Sequence, residues 1–330
     1  MKLFDCTLRD GANVVGNGFS RELTLSMLKG LIGSGITEIE LGNAKGLGAA
    51  EAMAADAPLS DAEYMELAAP FQSKANIGMF VLAPLASPER VALAKDKGLA
   101  FLRVGAAAGD GAKSVGAVQA VKAAGLVCRY SMMKGYLLSA EELAEEAALL
   151  ERSGVDCITI MDSAGTMFPD EVGRYVRAMK EKVKIPVGFH GHSNLGLSQA
   201  NALAAVAAGA EEIDCGLLGM ARSAGNCATE LAAVTLQKEG YLPEVDAYGL
   251  LSYLDNELIP LMREWDYRPA VMPVDLVLGY SGCHSSFLGQ LRQVAEAKDV
   301  NLYKLIVEVS RIDRKAPSVE LMERTAASLR

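Results

Sequence analysis

Short apolar segments alternate with longer, alanine-rich amphipathic segments from residue 2 to about residue 240. Each short segment is a nearly continuous apolar run of strand length, which is typical of parallel strands buried on both faces. The longer segments have helical periodicity, and several end in a glycine directly before the next apolar run, where a left-handed residue commonly terminates a helix. The pattern therefore predicts a repeated strand-then-helix unit. The eight predicted strands are Lys2–Cys6, Ile36–Leu41, Asn76–Leu82, Ala100–Val104, Leu126–Ser131, Cys157–Met161, Pro186–His190 and Glu212–Cys215.

Eight strand–helix units favour an α/β fold of the closed kind, a (β/α)8 TIM barrel, over an open doubly wound sheet. No Gly-x-Gly-x-x-Gly motif follows the first strand, so the main signal of a dinucleotide-binding sheet is missing. After Pro243 the pattern changes to helical segments without strands. We therefore predict a TIM-barrel catalytic domain at residues 1–243 and a C-terminal helical domain at residues 244–330. The predicted helices of this extension are Tyr248–Trp265, Ser286–Lys298, Leu302–Ser310 and Ser318–Ser328.

Composition narrows the class of protein. Apolar residues make up 51% of the 330-residue chain, and no apolar run approaches the length of a membrane span of roughly 20 residues. Asp5 stands where a secretory signal would continue apolar, and the six cysteines are scattered without a Cys-x-x-Cys pair, as in a protein of a reducing compartment. The net charge of −9 argues against nucleic acid and against anionic membrane surfaces. We expect a cytoplasmic protein that acts on a small molecule.

Two of the three histidines form a His-x-His sequence at the end of a predicted strand. Residues i and i+2 of a strand project from one face, so His190 and His192 can point at one spot, and Gly191 leaves room between them. Such a pair is a plausible half of a metal site. The alternative is that both are loop histidines held by hydrogen bonds.

Closure of the barrel brings further polar residues to this place, because strands 1, 7 and 8 become neighbours. Asp10 and Asn226 follow strands 1 and 8, so they would converge with the histidine pair. One carboxylate and two imidazoles leave coordination positions open for water or substrate, and this mixed set suits Mn²⁺, Mg²⁺, Co²⁺, Fe²⁺ or Zn²⁺. Taken alone, Asp10 fits a helix-cap or turn aspartate better than a metal ligand, and Asn226 is an equally good N-cap for the following helix.

Other strand ends carry polar side chains that are predicted to line the same mouth. Arg9 is suited to hold a carboxylate or enolate oxygen. Arg103, Asp162 and Ser163 lie at the ends of strands 4 and 6 and are expected to contact substrate. Asp162 could instead satisfy the amides of its own loop.

Several motifs resemble the divalent-metal lyase family of TIM barrels, which includes 3-hydroxy-3-methylglutaryl-CoA lyase, the isopropylmalate and homocitrate synthases and the 4-hydroxy-2-oxovalerate aldolases. The segments Asp5–Gly11, His190–Gly196 and Gly219–Asn226 are similar to motifs of the whole family. Met161–Gly165 and Leu278–Leu288 are similar to the aldolase subgroup specifically. The resemblance covers most of the chain, including the helical extension.

The resemblance implies a metal-dependent aldolase that cleaves or forms a 4-hydroxy-2-oxo acid. It implies that Asp10, His190 and His192 hold a divalent ion, with Mn²⁺ expected and Mg²⁺ or Co²⁺ as alternatives, that this ion chelates a pyruvate enolate, and that Arg9 stabilises the enolate. A Schiff-base lysine, the other common electron sink, has no counterpart in the predicted strand interiors. The expected partners are a 2-oxo acid and an aldehyde, an acylating aldehyde dehydrogenase, and further copies of the chain in a homo-oligomer.

Two positions depart from the aldolase pattern. Asn13 stands where the subgroup has a histidine base, and an amide cannot accept a proton at neutral pH. We therefore expect Asn13 to contact the substrate without acting as the base, and Tyr280 is also an expected substrate contact. His284 stands where the subgroup has a tyrosine, and as the last remaining histidine it is predicted to be the general base. Its alternative role is that of a capping histidine in the helical extension.

Two rival functions follow from these features. An acyl-CoA-dependent Claisen-type synthase or a 3-hydroxy-3-methylglutaryl-CoA lyase-like enzyme would share the metal site, but the C-terminal region is short for a regulatory domain. A catalytically silent barrel that binds an oxo acid or a protein partner is favoured only by Asn13.

Overall fold

The computed structural model describes the backbone of residues 1–267 and 273–329. Eight parallel strands form a closed barrel in the order β1 to β8, and β1 pairs with β8 in the register Lys2 with Glu212. The predicted (β/α)8 TIM barrel is therefore confirmed. The strands are β1 (Lys2–Asp5), β2 (Glu38–Leu41), β3 (Asn76–Leu82), β4 (Phe101–Ala107), β5 (Val127–Met133), β6 (Cys157–Asp162), β7 (Val187–Gly191) and β8 (Glu212–Cys215).

The strand bounds differ from the predicted ones mainly at β2, β4 and β5. β2 begins two residues later than predicted, because Gly35 at φ 82° ends the preceding helix and the chain needs Ile36 and Thr37 to turn into the sheet. β4 and β5 extend beyond the predicted apolar runs because they pair with each other as far as Ala107 and Met133.

Helices surround the barrel and continue beyond it. Ser139 begins one of them with a capping box: its hydroxyl accepts the Glu142 N–H at 3.2 Å, and the Glu142 carboxylate accepts the Ser139 N–H at 2.8 Å. The α-helices are α1 (Arg21–Gly33), α2 (Ala49–Ala52), α3 (Asp61–Ala68), α4 (Pro88–Asp96), α5 (Gly111–Ala123), α6 (Ala140–Ser153), α7 (Pro169–Lys182), α8 (Ser198–Ala207), α9 (Thr229–Lys238), α10 (Ala247–Tyr253), α11 (Ile259–Met262), α12 (Pro273–Ser281), α13 (Leu288–Lys298), α14 (Leu302–Ile312) and α15 (Val319–Ala327).

The barrel interior contains two layers of ion pairs. In the layer nearer the N-terminal ends of the strands, Arg129 donates to Glu38 at 2.6 Å and to Glu212 at 2.6 and 2.8 Å. Phe4 lies above it, with its ring centroid 4.8 Å from the Arg129 guanidinium carbon. Because each buried charge has an opposite partner, the layer avoids the large cost of an isolated buried ion.

The second layer lies directly beneath the C-terminal mouth. Arg103 donates to Asp214 at 2.5 Å and lies 3.5 Å from Glu40. Glu40 and Asp214 lie two residues beyond Glu38 and Glu212 in their strands, so all four side chains point into the barrel. This layer forms the floor under the residues that follow the strands.

The helices after β8 pack in two groups. α10 and α11 contribute Leu250 and Met262 to the large barrel core, whereas α12 to α15 enclose a smaller core that includes Leu278 and Leu291. α12 lies where no helix was predicted. The domain boundary at 243/244 stays a prediction. Among the described residues, no helix is long and apolar enough to cross a membrane.

Candidate active site

A tight turn after β1 sets two charged side chains at the centre of the mouth. The Cys6 carbonyl accepts the N–H groups of Arg9, Asp10 and Gly11 at 3.1, 2.8 and 3.4 Å. Asp5, at the end of β1, caps the start of the turn by accepting the Thr7 N–H at 2.9 Å. The backbone therefore presents Arg9 and Asp10 side by side, and both are buried.

Asp10, His190 and His192 form a buried cluster at this mouth. Asp10 Oδ2 lies 3.8 Å from His190 Nε2 and 3.9 Å from His192 Nε2, and one ligand atom from each residue lies within 4.8 Å of the others. The two imidazole centroids are 5.1 Å apart. The structure thus brings together the three residues that were predicted as metal ligands.

The protonation states of the cluster suit a cation. Burial, the largest influence, lowers the pKa of His192 to about 3, so its ring is neutral at physiological pH. Burial alone would raise the pKa of Asp10, but the positive charge of Arg9 outweighs it and lowers that pKa well below its usual range. A carboxylate beside neutral imidazole nitrogen is the form in which these side chains bind divalent metals.

Neighbouring groups orient the cluster. His190 Nδ1 lies 3.0 Å from Asp214 Oδ2, which leaves Nε2 of that ring facing Asp10. Asn226 donates to Asp10 Oδ2 at 3.0 Å, and Asn13 donates to the Asp10 carbonyl at 2.8 Å. Histidine–carboxylate pairs of this kind fix the ligand ring in metal sites. The residues therefore fit a divalent ion.

Arg9 is fixed on two of its three nitrogens. Its Nε donates to Glu40 Oε1 at 2.7 Å and its Nη1 donates to Asp10 Oδ1 at 3.0 Å, while the guanidinium carbon lies 5.0 Å from the Phe80 ring centroid. Nη2 is buried and has no hydrogen-bond partner among the described residues. The side chain thus carries one oriented, unused donor.

A cavity of about 410 Å³ opens over the cluster. Met161, Phe80 and Leu82 contribute apolar walls, and Ser163 lines it as predicted while its hydroxyl accepts the Lys134 N–H at 2.9 Å. The polar and charged residues that line the cavity are Arg9, Asp10, Lys45, Ser163, His190, His192, Arg222, His284 and Ser286.

His284 reaches this cavity from the C-terminal helices. It also begins a short 3₁₀ turn, where its Nδ1 lies 2.7 Å from the Ser286 hydroxyl and 3.2 Å from the Ser286 N–H. His284 therefore lines the cavity, as predicted, and also caps the 3₁₀ turn, which was its alternative role. Burial, reinforced by Arg222 and Lys134, lowers the pKa of His284 to about 3.

Other predicted contacts lie away from the cavity wall. Arg103 lies in the layer beneath, held by Asp214. Asp162 accepts the Thr166 and Met167 N–H groups at 3.0 and 2.9 Å, which matches the alternative role in its own loop. Asn226 contacts Asp10 and does not line the main cavity. Asn13 lines a smaller neighbouring cavity. The predicted contact of Tyr280 cannot be placed, because its side chain lies outside the described residues.

Four charged residues of the site were not predicted from the sequence. Glu40 and Asp214 left a signal, since each is an acid at alternate positions of an otherwise apolar strand, as at Glu38-Ile39-Glu40. Lys45 and Arg222 lie in loops after β2 and β8, where the sequence pattern gives no direction for a side chain.

A closed (β/α)8 barrel with a carboxylate–imidazole cluster at its C-terminal mouth is the architecture of a TIM-barrel enzyme. The sequence profile of the HMGL-like family matches residues 110–256. A protein of Thermomicrobium roseum described as 4-hydroxy-2-oxovalerate aldolase is 33% identical over 310 residues, which cover 94% of this chain and 86% of the relative. One from Pelotomaculum thermopropionicum with the same description is 33% identical over 312 residues, covering 94% and 91%.

Among solved structures, the carboxyl transferase domain of Rhizobium etli pyruvate carboxylase superposes with a TM-score of 0.79 at 14% identity, covering 99% of this chain and 60% of that one. At this identity the likeness concerns the fold alone. The full-length relatives decide the family: the chain belongs to the 4-hydroxy-2-oxovalerate aldolase family, whose members are carbon–carbon lyases. HMGL-like aldolases use a divalent metal, in keeping with the cluster at the mouth.

Proposed function

We propose that the protein is a metal-dependent aldolase that cleaves or forms 4-hydroxy-2-oxo acids, with pyruvate as the common half. The observation that carries this proposal is that the Asp10–His190–His192 cluster and Arg9 line one cavity, with Arg9 Nη2 left without a hydrogen-bond partner among the described residues. Cleavage next to a carbonyl group needs an electron sink and a proton acceptor. The residues around the cavity provide for both.

Asp10, His190 and His192 would hold the metal. The mixed carboxylate and imidazole set suits several divalent ions, and we propose Mn²⁺ among them on the resemblance to the metal-dependent aldolases. When bound, a divalent cation supplies Lewis acidity that polarises the 2-oxo group. Charge favours this occupancy. Among the buried groups around the cluster, Asp10, Glu40 and Asp214 bring three negative charges and Arg9 and Arg103 bring two positive ones, a net charge of −1 that favours a cation there. Together with Lys45 and Arg222, which line the cavity, a bound divalent ion would give the site a net positive charge that favours an anionic 2-oxo acid.

Arg9 would act on the oxygen that gains charge during cleavage. As the C3–C4 bond breaks, its electron pair moves into the C2–C3 bond and negative charge accumulates on the 2-oxo oxygen. Nη2 of Arg9 is positioned to donate to that oxygen, while Glu40 and Asp10 keep the guanidinium from turning away. A donor fixed before the reaction stabilises developing charge without reorganising.

His284 would accept the proton of the 4-hydroxyl group. This role requires the tautomer in which Nδ1 donates to the Ser286 hydroxyl, 2.7 Å away, so that the lone pair of Nε2 is available. The lowered pKa keeps the ring unprotonated at neutral pH. The O–H electrons then form the new aldehyde carbonyl, and C3 of the pyruvate half finally takes up a proton.

The released aldehyde is reactive, and we propose that an acylating aldehyde dehydrogenase consumes it and that the chain works in the cytoplasm as a homo-oligomer. Co-purification of tagged protein from its native host tests the partner, and light scattering tests the oligomer.

The function is tested by a lactate dehydrogenase-coupled assay for pyruvate. Purified protein is incubated with a panel of 4-hydroxy-2-oxo acids, with Mn²⁺ added and, separately, after chelation. Pyruvate release that requires Mn²⁺ is expected with at least one member of the panel. Release that is unaffected by chelation would contradict the metal-dependent assignment.

A further inference from the structure

Arg222 is a cation of the cavity that the proposed chemistry does not use. It lies in the loop between β8 and α9 and lines both the main cavity and a smaller adjoining one of about 270 Å³. It is partly buried, and no carboxylate of the described part of the chain pairs with it. Burial lowers the pKa of its guanidinium, with Asp10 opposing and Arg9 reinforcing that effect. None of its nitrogens is among the buried side-chain atoms that lack a hydrogen-bond partner, so the guanidinium is accessible from the cavities that it lines.

The loop holds Arg222 firmly in this place. Ser223, the next residue, has a left-handed backbone at φ 61°, an unfavourable state for a residue with a side chain. Two hydrogen bonds fix the turn: Gly225 N–H donates to the Arg222 carbonyl at 3.2 Å, and Ser193 N–H donates to the Gly225 carbonyl at 2.8 Å. Asn226 of the same loop bonds to Asp10. The backbone that carries Arg222 is thus held by the same loop that contacts the candidate metal site.

The smaller cavity lies on the side of the proposed base. Ser286, which bonds to His284, lines both cavities, and so does Arg222. Since His284 would take the proton from the 4-hydroxyl group, substituents beyond C4 extend toward these residues. Lys45 lines the main cavity and not the smaller one, so it can serve the 1-carboxylate separately from Arg222.

We propose that the aldehyde half of the substrate carries an anionic group, a carboxylate or a phosphate, and that Arg222 binds this group in the smaller cavity. Asn13 and the Ser285 hydroxyl, which line that cavity, complete a polar surrounding for the anion. The inference rests on the proposed aldolase function and specifies its substrate class. The products of cleavage are then pyruvate and an aldehyde that bears an acid group.

The first test compares substrates that differ in that group. 4-Hydroxy-2-oxohexanoate and 4-hydroxy-2-oxoadipate have the same carbon chain and yield propanal and 3-oxopropanoate; 4-hydroxy-2-oxo-5-(phosphooxy)pentanoate yields glycolaldehyde phosphate. Breaking the C3–C4 bond and moving the hydroxyl proton balances each reaction without a co-reactant. We expect kcat/KM for one of the acidic substrates to exceed that of the neutral one roughly 10- to 100-fold, the range of a hydrogen bond to a charged group. The better of the two acidic substrates identifies the group as carboxylate or phosphate.

The second test changes the residue. In Arg222→Ala the preference for the acidic over the neutral substrate should fall roughly 10- to 100-fold, mainly through KM, and Arg222→Lys should restore part of it. Lys113→Ala removes an exposed cation paired with Asp110 and is the matched control with wild-type preference. If the chosen acid is the carboxylate, isothermal titration of the Mn²⁺-loaded protein with 2-oxoadipate and 2-oxohexanoate, which lack the 4-hydroxyl and cannot be cleaved, gives the same comparison without turnover.

The outcomes separate the two proposals. Equal efficiency on all three substrates, or equal losses on acidic and neutral substrates in Arg222→Ala, would refute the anion site and leave the aldolase function standing. Pyruvate release from other members of the panel but from none of these three would likewise refute the anion site, and absence of pyruvate from the whole panel would refute the aldolase function itself.

Discussion

The guanidinium of Arg9 is held on two nitrogens and open on the third, a geometry that depends on the forked shape of arginine. Glu40 and Asp10 occupy Nε and Nη1, so Nη2 is the guanidinium nitrogen left without a partner among the described residues. A lysine would keep the charge but could not reproduce this arrangement, because its ammonium is a single point at the end of a flexible chain.

Arg9→Lys should therefore lower kcat about 10²-fold or more while KM changes far less, as loss of a fixed oxyanion donor does. Steady-state kinetics of pyruvate release measures both constants, and circular dichroism checks the fold. A change confined to KM would show that Arg9 only binds the substrate carboxylate.

His284 takes its catalytic tautomer from its neighbour Ser286. Removal of the hydroxyl in Ser286→Ala takes away the acceptor for the Nδ1 proton, and the remaining contact, the Ser286 N–H, favours the opposite tautomer. We expect aldol cleavage to fall about tenfold in Ser286→Ala and to be abolished in His284→Ala. Ser328→Ala removes a hydroxyl that donates to the Thr325 carbonyl at the end of α15, away from the cavity, and is the control with wild-type cleavage. Cleavage that survives in His284→Ala would assign the base to water or to another residue.

At the scale of elements, the apolar pattern predicted all eight strands because buried parallel strands need continuous apolar runs. It missed α12, a short apolar helix bounded by Pro273 and by Gly282 at φ 71°. It also predicted one helix over Tyr248–Trp265, whereas Leu254–Leu258 form a π-helical segment just before Pro260, which has no N–H for a regular turn.

The residues of the site could be predicted from the sequence where the position of a residue on a strand determines the direction of its side chain. His190 and His192 share a face by strand periodicity, and barrel closure brings Asp10 to them. The pairing of Arg103 with Asp214 spans 111 residues, and no local pattern encodes such a contact. Arg222 was missed because loop side chains have no periodicity.

Gly279 of α12 controls how the C-terminal helices approach the barrel. A Cβ at this position would lie 2.7 Å from Asn194 Cβ and 3.0 Å from Leu195 Cγ, in the loop after β7. Gly279→Ala should push α12 outward and displace His284, five residues later, at a cost of about 1–3 kcal/mol in stability. A displacement of about 1 Å can lower kcat about 10²-fold. Gly289→Ala is the control, because its Cβ would meet nothing within 4 Å.

Wild-type kcat in Gly279→Ala would contradict this role of α12. Chemical denaturation of both variants separates the loss of stability from the loss of activity, and we expect Gly289→Ala to be neutral or slightly stabilising.

At the scale of the whole molecule, a negative protein of net charge −9 binds an anionic substrate, so attraction must be local. Lys45 and Arg222 line the cavity, and a divalent cation held by Asp10, His190 and His192 would add further positive charge beside them. Binding to the folded state alone should stabilise it by about 2.7 kcal/mol when free metal exceeds the Kd a hundredfold.

Mn²⁺ should therefore raise the Tm of the wild type, and chelation should reverse the increase. His190→Ala and His192→Ala should abolish the increase in Tm. His284→Ala changes the third histidine of the chain, which is not a proposed ligand, and should retain the increase. Differential scanning calorimetry with elemental analysis measures the shift and the metal content. Equal shifts in all three variants would place the ion elsewhere.

The most direct test of the account is proton exchange at the methyl group of pyruvate, because it reports enolisation without any aldehyde. Pyruvate in D₂O is followed by proton nuclear magnetic resonance with wild-type protein, with and without Mn²⁺, and with His190→Ala and His192→Ala. The account predicts loss of the methyl signal only with wild-type protein and Mn²⁺. Exchange that proceeds equally without the metal or in both variants would contradict it.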